Sequence, residues 1–207
     1  MLSTDELEFI RSACSRLTKD GRTSFAVATV HRVLPVYQAY SESDSEIRGY
    51  GLSHDALVEI SRLLRRRPGA TSELVERKIE RAASALAADQ LRVRGLDRYS
   101  LAVSLAEEVL GALSLVFKGW EKSDLESYVQ ASLMALEIDL IWAEGSSDDV
   151  VSWDGLITQY GWQVRDLKEL AIGEKEGAFA VYRSVAMSAE REGVSYLERM
   201  RSLVNCG

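Results

Sequence analysis

Apolar residues recur every three or four positions along most of the chain, which is the spacing of one face of an α-helix. The first such stripe follows a capping box formed by Ser3 and Glu6, and Gly21 is expected to close that helix. A second stripe contains Pro35, whose ring removes a backbone hydrogen bond, so a kink or a break is expected near Val33. Its apolar members are Ala26, Val30, Val33, Leu34, Tyr37 and Tyr40. No segment of useful length alternates apolar and polar residues as a half-buried strand does.

The remainder of the chain continues this helical pattern, first regularly and then less so. Ser41–Leu52 is rich in serine, glycine and acidic residues and predicts a loop. Four further regular helices are expected to begin at Ser53, at Thr71 or Ser72, at Asp97 and at Ser123. Beyond residue 145 shorter helices are predicted at Trp153–Tyr160, Gln163–Ile172, Gly177–Glu190 and Val194–Val204, punctuated by Gly161, Gly173 and Gly193. The prediction is therefore an all-α fold: a single domain, 1–207, with about eight to ten bundled helices and a second helix kinked at Pro35.

Composition narrows the class of partner. The chain holds 25 Lys and Arg against 32 Asp and Glu, a net charge of -7, which argues against nucleic acid and against anionic membranes as partners.

The cysteines and the N-terminus bear on the compartment. The two cysteines, Cys14 and Cys206, stand far apart in the sequence, as free thiols in a reducing compartment do. The acidic N-terminus lacks the pattern of a signal peptide, and no uncharged apolar run approaches the ~20 residues of a membrane span. A cytoplasmic protein is expected.

Motifs of catalysis and metal binding are missing from the sequence. The two histidines, His31 and His54, belong to neither a Glu-x-x-His nor a His-Glu-x-x-His pattern, and His31 is expected to be a partly exposed helix residue. The segment Gly49-Tyr50-Gly51 lacks the third glycine and the lysine of a phosphate-binding loop, so it is assigned to a loop. We therefore expect no cofactor, no metal and no enzymatic activity.

One basic cluster stands out against the acidic background. Arg62, Arg65, Arg66 and Arg67 lie at the end of the third predicted helix, where cations complement the negative end of the helix dipole. A nucleic-acid patch would also need lysines and aromatic residues nearby. Capping of the helix is the simpler interpretation.

The negative charge is concentrated in the second half of the chain. Residues 1–100 hold 16 basic and 14 acidic residues, whereas residues 101–207 hold 9 and 18. Within residues 120–155, nine acidic residues face a single base, Lys122, and all four tryptophans lie in or just beyond this segment. Acidic groups with aromatic anchors suit a binder of basic proteins, although the tryptophans could equally belong to the core. The predicted partner-binding residues are Glu137, Asp139, Trp142, Glu144, Asp148, Asp149, Trp153 and Asp154.

A family resemblance points the same way. Phe25-Ala26 followed by the run Arg32–Tyr40 (RVLPVYQAY) resembles the early helix of all-helical immunity proteins from bacterial polymorphic toxin systems and of related uncharacterised helical families. The matching residues look structural, so the resemblance assigns no site residues. It implies a cytoplasmic inhibitor that binds a cognate toxin protein. Many such toxins are nucleases with basic clefts, so a basic face is expected on the partner.

Two other classes of function stay open at this point. One is a helical enzyme or small-molecule binder, which a pocket with converging acids and His31 or His54 would favour. The other is a self-associating scaffold or regulator, a homo-oligomer in which the Trp-rich surface meets its own copy.

Overall fold

Eight α-helices make up the part of the chain that the structure, a computed structural model, describes: residues 4–66, 72–96, 100–145, 154–177 and 180–205. They are α1 (Thr4–Ser15), α2 (Lys19–Ser43), α3 (Gly49–Arg66), α4 (Glu73–Arg94), α5 (Leu101–Lys122), α6 (Leu125–Gly145), α7 (Asp154–Lys175) and α8 (Ala180–Asn205). No strand occurs among these residues. The predicted all-α bundle of about eight to ten helices is confirmed.

The core is built around α2, which packs against α8, α5, α6, α3 and α7. Every apolar residue of the stripe predicted for this helix is buried. The helix continues through Pro35 without interruption, so the break considered from sequence does not occur. A Pro costs a helix one internal hydrogen bond, and burial of α2 on nearly all sides offsets that loss.

The start of α2 differs from the sequence prediction. Gly21 does not close α1, which already ends at Ser15, but lies in the first turn of α2. Thr18 caps this turn, because its hydroxyl accepts a hydrogen bond from the Gly21 amide at 3.2 Å. The Thr18 amide in turn donates to Glu174 of α7 at 3.0 Å. A contact from a distant helix therefore sets this boundary.

The start of α3 is also earlier than predicted. Gly49-Tyr50-Gly51 forms its first turn, so the assignment of these residues to a loop is wrong. Asp89 of α4 accepts hydrogen bonds from the Arg48 and Gly49 amides at 3.3 and 2.7 Å, and thereby caps the helix from outside. Tyr37 donates to the same carboxylate.

The C-terminal region forms two long helices, not the four short ones predicted. Gly161 and Gly173 lie inside α7, and Gly193 lies inside α8. At Gly193 an added Cβ would lie only 3.0 Å from the Arg32 carbonyl oxygen of α2. This glycine thus permits a close helix crossing and does not end a helix.

Candidate functional site

The structure places two of the predicted partner-binding residues in the interior. Asp139 is 5% exposed, and its carboxylate accepts a hydrogen bond from the Tyr196 hydroxyl at 2.5 Å. Trp142 is 9% exposed and joins the hydrophobic core. Both lie on the packed side of α6, so the surface predicted from sequence lacks this charge and this aromatic anchor. The sequence left open whether the tryptophans are surface anchors or core residues, and Trp142 is a core residue.

The other predicted residues are only partly described. Glu137 is exposed on α6, as a charge complement must be. Glu144 and Asp154 belong to the ends of α6 and α7, but their side chains lie outside the described part. Asp148, Asp149 and Trp153 also fall outside it, so their partner-binding role stays a prediction.

A groove opens between α4 and α5 beside the first turn of α2. The two helices are antiparallel: Arg94 near the end of α4 lies 3.6 Å from Glu107 near the start of α5, and Gln90 donates to the Ser114 hydroxyl at 3.1 Å. Towards the opposite ends of the pair, a cavity of 530 Å³ separates the facing surfaces. Its position at the edge of the bundle leaves it open to solvent.

The groove is lined by one stripe from each helix. These stripes are Glu76, Ile79, Glu80 and Ala83 on α4, and Ser114, Phe117, Lys118 and Glu121 on α5. Both follow the spacing i, i+3, i+4, i+7, so each stripe is a single helix face. Ala83 and Ser114 are small, which widens the space between the two helices.

The floor of the groove is apolar and its rim is mainly acidic. Ile79 and Phe117 are buried beneath it, and Trp120 is half-buried against the core. The charged lining residues are the carboxylates Asp20, Glu76, Glu80 and Glu121 and the ammonium groups Lys19 and Lys118. Trp120 and Glu121 belong to the acidic, Trp-bearing segment identified in the sequence. The α4 residues could not be foreseen, because no local pattern connects them to residues some 40 positions later.

A second acidic cluster lies where α5 meets α6. Burial raises the pKa of Glu108 to about 7, and the nearby charges of Glu137 and Glu107 act in the same direction. Exposed Glu137 therefore extends the negative field of this side of the molecule, although it does not line the groove.

The interior holds an ion-pair network that sequence reasoning missed. Arg32 is 0% exposed and donates to Asp166 of α7 at 2.5 Å and to Glu192 of α8 at 2.7 Å. Arg165 bridges the same two carboxylates, at 2.9 Å to Asp166 and 2.6 Å to Glu192. The ring of Trp162 lies 5.8 Å from the Arg32 guanidinium carbon. These contacts join three helices and give the network a structural role.

His31 is also buried, so its expected partial exposure is wrong. It is 5% exposed and its ring lies edge-on to His54, with 6.3 Å between the ring centroids. Burial lowers the pKa of His31 to about 4, with further lowering by His54, Arg32 and Arg65. The side chain is therefore neutral at physiological pH and belongs to the core.

Within the described ranges, no group of three or more His, Cys, Asp or Glu side chains is placed to hold a metal ion. None of the helices in that part of the chain combines the length and apolar character needed to cross a bilayer.

Comparison with known proteins defines the class of fold. No family model matches the chain, and no curated protein matches it either. Its structure is similar to the crystal structure of a DUF416 family protein from Shewanella baltica OS155, with a TM-score of 0.54 and 19% sequence identity. The match covers 95% of this chain and 94% of that one. The protein thus has an all-helical fold that a DUF416 protein shares over nearly its full length.

Proposed function

We propose that this protein is a non-catalytic inhibitor that binds a basic, amphipathic segment of a cognate toxin in the groove between α4 and α5. The observation that carries the proposal is the groove itself, in which half-buried Trp120 lies among four carboxylates and two lysines, so that the charged lining is acidic on balance. The basic face expected on the partner, from the acidic Trp-bearing segment and from the resemblance to immunity proteins, would meet this surface.

The shape of the groove favours a helix as the docking segment. Two helix faces with i, i+3, i+4, i+7 spacing flank it, and a docked helix would add a third face with the same spacing. Apolar side chains of that helix would cover half-buried Trp120, above the floor that Ile79 and Phe117 form. Aromatic residues in such partly closed sites supply much of the binding free energy of protein interfaces.

The rim adds electrostatic selectivity. Exposed Glu76, Glu80 and Glu121 are placed to pair with lysines or arginines on the polar face of the docked helix. Carboxylates at a rim raise the association rate and exclude acidic competitors more than they increase final affinity. The excess of acidic residues in the second half of the chain extends the same attraction over a longer range.

The identity of the partner as a toxin is supported by the resemblance of Phe25–Tyr40 to immunity proteins. That segment lies in the buried central helix α2. The resemblance therefore supports a related fold and does not identify residues that contact the partner. An inhibitor of this type acts in the cytoplasm of the cell that makes it, where an incoming toxin would otherwise reach its target.

Co-expression with the product of the neighbouring gene, as the candidate toxin, tests the proposal. The wild-type protein should restore growth and co-purify with the toxin as an equimolar complex. Paired reversal of charge, Glu76→Lys with Glu80→Lys, should weaken protection, because two lysines at the rim repel a basic segment, whereas Glu190→Lys on exposed α8 surface should leave it intact. Thermal unfolding of each variant checks that the fold is retained. Protection by the double variant equal to that by wild type would exclude the groove, and absence of protection by wild type would exclude the function.

A further inference from the structure

A cleft lined by arginines lies where the end of α3 meets the start of α8. Arg62, Arg65 and Arg66 come from the last two turns of α3, and Arg183 comes from the first turn of α8. The cleft has a volume of 550 Å³, and all four side chains are exposed. Arg183 is separated from the others by more than 100 residues of sequence, so only the fold shows that it joins the cluster.

The positive charge of this cleft is poorly balanced within the described residues. Arg62 pairs with Glu59, but that carboxylate also accepts from Lys78 at 3.3 Å. Among the described residues, Arg65 donates to the Ser61 carbonyl of its own helix, at 3.1 Å, and pairs with no carboxylate. Arg66 and Arg183 have no carboxylate within salt-bridge distance in the described part of the chain. Elsewhere, by contrast, Arg92 contacts two carboxylates, Asp44 and Glu46, with its side chain 35% exposed.

The helix dipole accounts for only part of the cluster. Arg65 and Arg66 suit the negative end of α3, as the sequence analysis suggested. Arg183 lies at the positive end of α8, where a cation is disfavoured, and the first turn of α8 contains no acidic residue. Three of the four cations around this cleft, Arg65, Arg66 and Arg183, have no carboxylate partner among the described residues, and Arg183 stands against a helix dipole, so the cleft favours an external anion.

We propose that this cleft binds a small, multiply charged phosphate compound, such as one carrying a pyrophosphate or triphosphate group. Guanidinium groups match phosphate oxygens two at a time, and four of them from two directions suit a compact polyanion. A nucleic acid fits less well, because the described lining residues include no aromatic side chain on which a base could stack and the protein is acidic overall. The site is separate from the α4–α5 groove and shares no residue with it.

Titration calorimetry with sodium pyrophosphate and tripolyphosphate, at a fixed ionic strength of about 0.15 M, tests this proposal. Wild-type protein should bind both, and tripolyphosphate more tightly. Arg183→Gln and Arg66→Gln should each weaken binding about tenfold or more, because each removes a charge-assisted hydrogen bond. Arg191→Gln is the matched control, since Arg191 is an exposed arginine of the same helix outside the cleft.

Three outcomes would overturn the proposal. The first is unchanged affinity in Arg183→Gln with a native unfolding transition. The second is an equal response to sodium sulfate, which would indicate simple screening of charge. The third is tighter binding of a single-stranded oligonucleotide than of tripolyphosphate, lost in the same variants, which would make the cleft a nucleic-acid site.

Discussion

Gly193 lies where α8 crosses the central helix, and its missing side chain sets the distance between them. A methyl group there would approach the Arg32 and His31 carbonyl oxygens to 3.0 and 3.1 Å. Because those atoms are backbone within a buried helix, they have little freedom to move. We predict that Gly193→Ala lowers the free energy of unfolding by about 1–3 kcal/mol.

Gly161 provides the matched control, since it lies inside α7 with no atom near the position of its Cβ. Gly161→Ala should raise stability by up to about 1 kcal/mol through helix propensity alone. Urea denaturation of both variants makes the comparison. Stabilisation by both substitutions would contradict the tight crossing at Gly193.

Glu108 predicts a pH dependence with a definite sign. Burial, with Glu137 and Glu107, raises the pKa of Glu108 in the folded protein to about 7 from its ordinary 4.5. The folded state therefore holds this proton more tightly than the unfolded state, and stability is lost as pH rises from 4.5 through 7. Glu108→Gln retains the neutral form and should stabilise the protein by about 1 kcal/mol at pH 8, after allowance for partial exposure.

At pH 4 the same variant should differ little from wild type, because Glu108 is then protonated in the folded protein. Glu190→Gln, at an exposed site on α8, should show no such pH-dependent difference. Denaturation curves at pH 4 and pH 8 give the free energies of unfolding that test this prediction. An equal effect of Glu108→Gln at pH 4 and pH 8 would show that the pKa of Glu108 is not raised in the folded protein.

At the scale of elements, α2, α7 and α8 are tied together by the network around Arg32. Removal of one partner from a buried ion pair leaves the other charged and unpaired, which costs about 3–5 kcal/mol. Asp166→Asn should therefore lower the free energy of unfolding by roughly this amount. The remaining contact between Arg32 and Glu192 reduces the cost, because Arg32 keeps one carboxylate partner.

A double-mutant cycle isolates the contact itself. Arg32→Met combined with Asp166→Asn should cost about 1–3 kcal/mol less than the sum of the single changes, because no unpaired guanidinium remains. Additive costs would mean that Arg32 and Asp166 act independently, contrary to their 2.5 Å hydrogen bond.

The helices themselves were predictable, but several of their boundaries were not. Apolar spacing gave the all-α class and the buried face of α2, because burial imposes that periodicity locally. The start of α3 depends on Asp89, a cap from another helix some 40 residues away. Glycines in α7 and α8 resemble helix ends in sequence, yet Gly193 serves interhelical packing. Long-range contacts of these kinds leave no local pattern.

At the scale of the whole molecule, the candidate site could likewise be predicted from the sequence only in part. The sequence indicated an acidic, Trp-bearing region, and Trp120 with Glu121 places one edge of that region in the groove. Glu76 and Glu80 join them only because α4 folds back along α5. Asp139 and Trp142, which share the composition of the region, turn inward instead. Composition therefore indicates a segment of the chain, and the packing of helices decides which of its residues line the groove.

Trp120 allows the most direct test of the proposed function. The measurement is the dissociation constant of the purified protein for the toxin that it neutralises in the co-expression assay, compared between wild type and Trp120→Ala. Loss of a central aromatic anchor should weaken binding by at least about 30-fold, corresponding to about 2 kcal/mol. Leu91→Ala, which removes a side chain 74% exposed on α4 away from the groove, should leave the constant unchanged. An unchanged dissociation constant for Trp120→Ala, with the fold intact, would contradict binding through the groove.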